Sequence, residues 1–383
     1  MTFVVPFGPQ HPALKEPEYF RFEVKGEEII DLNVRLGYIH RGIERALQER
    51  SYLHNIYLSE RICGICNVAH TTAYCQTIEQ LANIEVPDRA RFIRTILCEL
   101  ERIHSHLLWA GVAAHEIGFN TLFMFFWRDR ELVLDLKEMI SGNRQISASN
   151  TLGGVRRDVK PEYVPTMLRV LNKLEKETKY YIDVCTSDRT ILARCMGVGV
   201  LTKEDAIKLC IVGPTTRASG VDVDIRRDDP YAAYDEISFK VIIEREGDVL
   251  AKVIVRLREI LESIQIIRQA LKALPRGPLR TKVAPKIEPN EALGRIEAPR
   301  GELLYYAISN GTDKPERIRV RPPTYANIPS FKPMFVGGTI AEIPIVMASI
   351  DPCFACTDRV TLVDSHTGKA RVVSFDELRG RRK

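Results

Sequence analysis

The stretch SERICGICNVAH, residues 59–70, has its counterpart near the other end of the chain in SIDPCFACTDR, residues 349–359. Each holds a CxxC pair, Cys63 and Cys66 in the first, Cys353 and Cys356 in the second. Four soft thiolates select zinc, iron–sulfur or other thiophilic transition metals over magnesium or calcium. Gly64 lets the first pair turn tightly, and Pro352 stops any preceding helix and opens a new turn. A structural zinc site with four cysteines fits this spacing. The pairs of a zinc knuckle usually lie close together in sequence, however, so a cofactor reached by both ends of the fold fits as well.

Working outward, EYFRFEV (18–24) alternates Phe20, Phe22 and Val24, turns at Lys25-Gly26, and returns as IIDLNVRL (29–36). Period-two alternation around a glycine predicts a β hairpin with one buried face. Helical patterning runs from about Gly42 to the first pair and resumes over residues 68–84. A long helix is expected after Pro87, with Asp88 as its N-cap; Ile93, Leu97, Leu100, Ile103 and Leu107 recur at helical spacing. Further helices are expected over 128–142, 162–184 and 247–274, which together predict a buried bundle. After Leu274 the chain turns rich in Pro and Gly, with short strand-like runs that read as a loop and β meander. The predicted class is α+β, mostly helical: a hairpin region (1–42), a long-helix bundle (43–274), a loop and meander region holding the second pair (275–359) and a tail (360–383), all in one domain.

A net charge of +5 is mild for 383 residues and gives no reason to expect nucleic acid. The basic runs GGVRRDVK, DIRRDDP and ELRGRRK read as solvated loop charge. No secretory leader is expected from MTFVVPFGPQHP. The most apolar region, 106–127, is interrupted by His115, Glu116 and Asn120, so it falls short of the ~20 apolar residues of a membrane span. The remaining cysteines, Cys75, Cys98, Cys185, Cys195 and Cys210, lie singly in apolar surroundings and read as small core residues. His104 and His106, two apart on a helix, cannot share a face and form no joint metal site.

Between the cysteine pairs and before them come FGPQHPALKEP (7–17), GYIHRGIERAL (37–47), EAPRG (297–301) and RPPTYANIP (321–329). In that order these segments resemble the large, catalytic subunit of membrane-bound, energy-converting nickel–iron hydrogenases, over essentially the whole chain. That family is similar to the 49 kDa-type, quinone-side subunit of respiratory complex I, which shares FGPQHPAL and HRG but lacks the cysteine pairs. The resemblance implies a Ni–Fe centre whose iron carries cyanide and carbonyl. Cys63 and Cys353 would be terminal nickel ligands; Cys66 and Cys356 would bridge nickel and iron. It places Arg300 above the centre, where a permanent guanidinium charge polarises substrate, and Asp351 beside it. Glu16 matches a proton-transfer glutamate. His70 can hydrogen-bond a ligating sulfur. Glu44 matches a magnesium ligand of some relatives, although Arg359 stands where those relatives have a histidine.

The resemblance further implies proton reduction to H₂, and its reversal, as the reaction. Iron–sulfur clusters would sit in a small partner subunit, since no clustered cysteines remain to hold one here. Further hydrophilic iron–sulfur subunits and integral membrane, ion-translocating subunits would hold the chain peripherally at the cytoplasmic face of the membrane. The tail after Arg359 is either cut off on metal insertion or a permanent extension. Two other readings stay open: a complex I-like subunit reducing a sulfur compound or other acceptor, and a zinc-clipped scaffold without redox chemistry.

Overall fold

The computed structural model describes residues 2–357 together with 362, 363, 366–368, 370 and 371. Arg359 and most of the tail therefore lie outside the described residues. The architecture is α+β and mostly helical. The predicted hairpin is present as Tyr19–Lys25 and Glu28–Arg35, with Phe20 opposite Val34 and Phe22 opposite Leu32. A third strand, Thr2–Phe7, pairs along its outer edge. Its continuous apolar run hides the alternation that betrays a strand, and its Pro6 is tolerated because the strand is an edge.

The buried face of this sheet is aromatic. Phe20 meets Phe331 edge-on at 5.4 Å and Phe22 meets Phe335 at 5.1 Å. Phe20 also contacts Phe354, the residue that follows Cys353, with ring centroids 5.9 Å apart. The N-terminal sheet thus backs the second cysteine pair.

The central helix, Asp88–Glu116, begins with Asp88 inside its first turn rather than as the N-cap, a position taken by Pro87. A carboxylate there still favours the positive end of the helix dipole. This helix packs between Asn120–Ser141 and Val249–Ala273, and the latter packs on Val164–Ser187. The helix that follows the first cysteine pair, Asn67–Leu81, lies against the C-terminal sheet, an antiparallel meander of Asn290–Ala298, Gly301–Ser309 and Pro315–Arg321. Gly153 and Gly154 bring the backbone close against Thr281 and Leu279.

Two further sequence expectations fail. Cys210 is exposed, at φ 53° just past the short Lys203–Lys208 helix, where the left-handed turn swings its side chain to solvent. Of the two arginines in DIRRDDP only Arg227 is solvated. Arg226 is buried because Asp224, at 2.7 Å, and Glu99, at 3.2 Å, neutralise it.

Lys252 is a buried cation of another kind. Its Nζ donates to the Gly199 carbonyl at 2.7 Å and lies 3.3 Å from the Met334 sulfur. Burial pulls its pKa down to about 7. With the folded value depressed, the unfolded chain binds the extra proton between about pH 7 and the ordinary lysine value, so stability falls as pH drops through that window. Lys252→Met is therefore expected to be more stable than the wild type at pH 7, by about 1–4 kcal/mol, the scale for replacing buried charge with packed apolar groups. Urea unfolding at pH 7 and pH 10 checks this: the gap between the two proteins should narrow at the higher pH.

Candidate metal centre

The first cysteine pair occupies the turn between Tyr52–Glu60 and Asn67–Leu81. The Cys63 sulfur accepts the backbone N–H groups of Ile65 (3.4 Å) and Cys66 (3.3 Å), so the CGIC loop curls around it. The second pair lies on the single turn Phe354–Cys356, entered through Asp351-Pro352. The Cys353 N–H donates to Thr324 Oγ1 at 3.0 Å.

The fold brings both pairs together. Cys353 Sγ is 3.5 Å from Cys63 Sγ and 2.8 Å from Cys356 Sγ. The sulfurs of Cys63, Cys66 and Cys356 all lie within 4.8 Å of one another. All four are buried. Hydrogen bonds from Cys353, Cys356 and Cys66 pull the Cys63 thiol well below its ordinary pKa. Cys356 is pushed up in turn by its hydrogen bonds with Cys353 and Cys63, because one negative charge in the cluster disfavours a second. A cluster that concentrates negative charge in this way is suited to a thiophilic cation.

Arg41, from the HRG segment, holds the two halves in register. It donates to the carbonyls of Arg61 (3.0 Å), Ile62 (2.8 Å) and Ala355 (2.8 Å), so one guanidinium spans both cysteine loops. Arg300 sits at the turn between two strands of the meander. Gly301, at φ 125°, has the Gly213 backbone where a Cβ would be, and only glycine allows that approach. Arg300 donates through Nε to the Asp351 carbonyl and through Nη2 to Asp351 Oδ1, both at 2.8 Å, and through Nη1 to Ser105 at 3.4 Å. Asp351 Oδ2 is buried with no hydrogen-bond partner among the described residues. Its backbone, at φ 55°, is in the left-handed region.

A cavity of about 200 Å³ opens beside Cys353. Apolar side chains such as Leu14, Trp109 and Met347 line most of it, with Glu16, Lys15, Arg300 and Asp351 as its charged groups. Glu16 is half-buried, not exposed as a charged residue beside a proline would suggest. Its Oε2 accepts the Ala355 N–H at 2.8 Å, between the two cysteines of the second pair. Burial raises its pKa. Neighbouring Lys15 pairs with Glu116 at 2.7 Å, tying this loop to the end of the central helix.

His70 is wholly enclosed. Its Nε2 lies 3.7 Å from the sulfur of Cys356, in the opposite pair, and its Nδ1 lies 2.9 Å from the Tyr305 hydroxyl. Burial lowers its pKa to about 4, so it is neutral at pH 7. Glu44 accepts the Val320 N–H at 3.0 Å and pairs with Arg317 at 3.2 Å. A carboxylate already occupied by a guanidinium does not fit a magnesium ligand. His104 and His106 are engaged separately, by Arg130 and by Glu259.

Arg41 and Thr324 stand in two segments that carry the resemblance, HRG and RPPTYANIP, but the sequence assigns neither a task. Tyr305 carries no signal, because its partner His70 comes from a distant segment.

A four-thiol cluster buried in a helical core beside a permanent cation offers a donor set that could hold a thiophilic metal. Residues 41–111 match the family described as nickel-dependent hydrogenase. Residues 116–292 and 282–359 match the 49 Kd subunit of respiratory-chain NADH dehydrogenase. The chain is 40% identical over 94% of its length to the carbon monoxide-induced hydrogenase of Rhodospirillum rubrum, covering 99% of that protein. It is 38% identical over 98% of its length to the membrane-bound hydrogenase subunit alpha of Pyrococcus furiosus, covering 91% of it. Among solved structures it matches a chain of the membrane-bound sulfane sulfur reductase, an archaeal respiratory membrane complex. The TM-score is 0.89 at 30% identity, over 94% of this chain and 98% of that one. The chain belongs to the family of oxidoreductase subunits that unites membrane-bound hydrogenase large subunits with the 49 kDa-type subunits of complex I. Among the described residues no helix is long and apolar enough to cross a membrane.

Proposed function

We propose that this chain is the catalytic subunit of a membrane-bound [NiFe] hydrogenase, forming H₂ reversibly from protons and low-potential electrons. The observation that carries this reading is the convergence of four buried cysteines from opposite ends of the chain. Cys63 and Cys353 would hold nickel, and Cys66 and Cys356 would join nickel to an iron bearing cyanide and carbonyl. Bound there, the centre supplies the two-electron redox chemistry. Arg300 places fixed positive charge against the thiolates and is itself held by Asp351. Glu16 exchanges protons at its carboxylate between the cavity and the second cysteine pair, a task favoured by burial, which raises its pKa. Neutral His70 donates from Nε2 toward the Cys356 sulfur. Among the described residues the cysteines outside the cluster form no second metal group, so electrons would come through an iron–sulfur small subunit. Further iron–sulfur and ion-translocating membrane subunits would anchor the chain peripherally at the cytoplasmic face and conserve the energy released.

Elemental analysis and infrared spectroscopy of the purified complex test this. Nickel and iron together, with cyanide and carbonyl stretching bands and H₂ evolution from a low-potential donor, are expected. Zinc alone, with no such bands, would sink the proposal in favour of a structural clip. A second reading, reduction of a sulfur compound at the same cavity, is favoured by the cavity's size, which exceeds what H₂ requires, and by the 30% identity to the sulfane sulfur reductase chain. Sulfide release without H₂ evolution would select it.

A further inference from the structure

The helix Asn67–Leu81 starts directly at a metal-ligand position, and this creates a local problem. Its N-cap residue is Cys66, whose side chain makes no capping hydrogen bond. The first N–H groups of a helix need acceptors when buried. A thiol committed to the cluster is not free to act as one.

The missing acceptor comes from the central helix. Glu101, fully buried, accepts the Val68 N–H through Oε1 at 2.6 Å and the Ala69 N–H through Oε2 at 2.8 Å. Lys137, also fully buried, acts on this carboxylate through its charge and donates to the Gln145 carbonyl at 3.3 Å. That carbonyl accepts Asn67 Nδ2 at 2.8 Å, and Gln145 Nε2 donates to the Gly64 carbonyl at 2.7 Å. The CGIC loop is therefore gripped at both ends: at Gly64 through Gln145, and at Val68 and Ala69 through Glu101.

We propose that Glu101, supported by Lys137, is the positioning group for the first cysteine pair, acting as a remote cap that fixes where Cys66 presents its sulfur. Glu101 touches no cysteine; it works through the backbone of residues 68 and 69. The inference rests on the four cysteines forming a metal site, and not on which metal fills it.

Cobalt(II) titration of the full chain, followed by sulfur-to-cobalt charge-transfer absorption, tests it. Glu101→Ala is expected to weaken cobalt binding by about 10- to 100-fold, the usual loss when an outer partner of a metal ligand is removed. Glu101→Gln, which keeps one acceptor oxygen but sets an amide NH₂ where the second carboxylate oxygen was, should recover only part of that loss. If Glu101→Ala fails to fold, Glu101→Asp, which keeps the charge but falls short of the two N–H groups, replaces it. Leu171→Ala, a core truncation in Val164–Ser187, controls for general destabilisation. Equal cobalt affinity in the wild type and Glu101→Ala would overturn the proposal, as would an equal loss in Leu171→Ala. In the assembled complex, Glu101→Gln should also shift the cyanide and carbonyl bands. Absence of those bands from the wild type would sink the hydrogenase reading while leaving the cobalt comparison to decide this one.

Discussion

Cys63→Ser is expected to abolish both nickel retention and H₂ formation in the assembled complex. Of the four thiols, Cys63 is the one the protein prepares as an anion. Two backbone N–H groups point at its sulfur, and the other three cysteines donate to it. Serine keeps the volume but replaces a soft thiolate with a hard hydroxyl that stays protonated near neutrality, so the donor set no longer suits nickel. Cys75 supplies the control. It is fully buried in the next helix and belongs to no group of potential metal ligands among the described residues. Cys75→Ala should keep nickel and activity and cost only a small cavity, about 1 kcal/mol. Nickel content, infrared bands and H₂ evolution are measured on all three proteins. A Cys63→Ser complex with full nickel and activity would remove this cysteine from the centre.

The cysteine pairs were legible because a CxxC motif states its own geometry within four residues. The grip around them was not. Arg41 acts on three carbonyls, from residues 61, 62 and 355, and no side-chain pattern records a carbonyl acceptor. The central helix shows a second limit. Its periodic Ile and Leu residues mark one buried face, which implies that the rest is solvated. Yet Glu99, Glu101 and Arg102 are fully buried too, because the helix is surrounded. Each has a specific partner: Glu99 pairs with Arg226 and Arg102, and Glu101 caps the helix behind the cysteines. A charged residue inside an apolar helix was the signal; its partners come from elements far away in sequence. The same blindness turned Arg226 into apparent surface charge.

Buried ion pairs of this kind add little net stability, since desolvation offsets most of their attraction, but breaking one strands a charge. That asymmetry decides which substitutions near the centre are informative. Truncating Arg300 would leave Asp351 buried and unpaired, with one carboxylate oxygen already lacking a partner. Loss of activity there would mix structure with chemistry.

Glu16 is free of this confusion. Its backbone contacts are the N–H groups of Ala355 and Phe354, and a glutamine in the same place still offers a carbonyl oxygen there. Glu16→Gln is therefore expected to keep nickel, iron and the infrared bands while lowering H₂ formation by about 10²- to 10⁴-fold, the range for loss of a positioned acid–base group. The pH profile separates a proton role from a structural one. Burial raises the Glu16 pKa, so in the wild type the acid form persists to higher pH than an exposed glutamate allows. As pH climbs through that raised value the carboxyl loses its proton, and H₂ formation should fall along this limb. Glutamine cannot titrate, so the limb should vanish and leave a flat, low rate. Exchange between D₂ and solvent protons, which needs no external electron donor, should collapse in parallel. A Glu16→Gln complex that retains this exchange and the wild-type pH limb would show that protons reach the cysteines by another route.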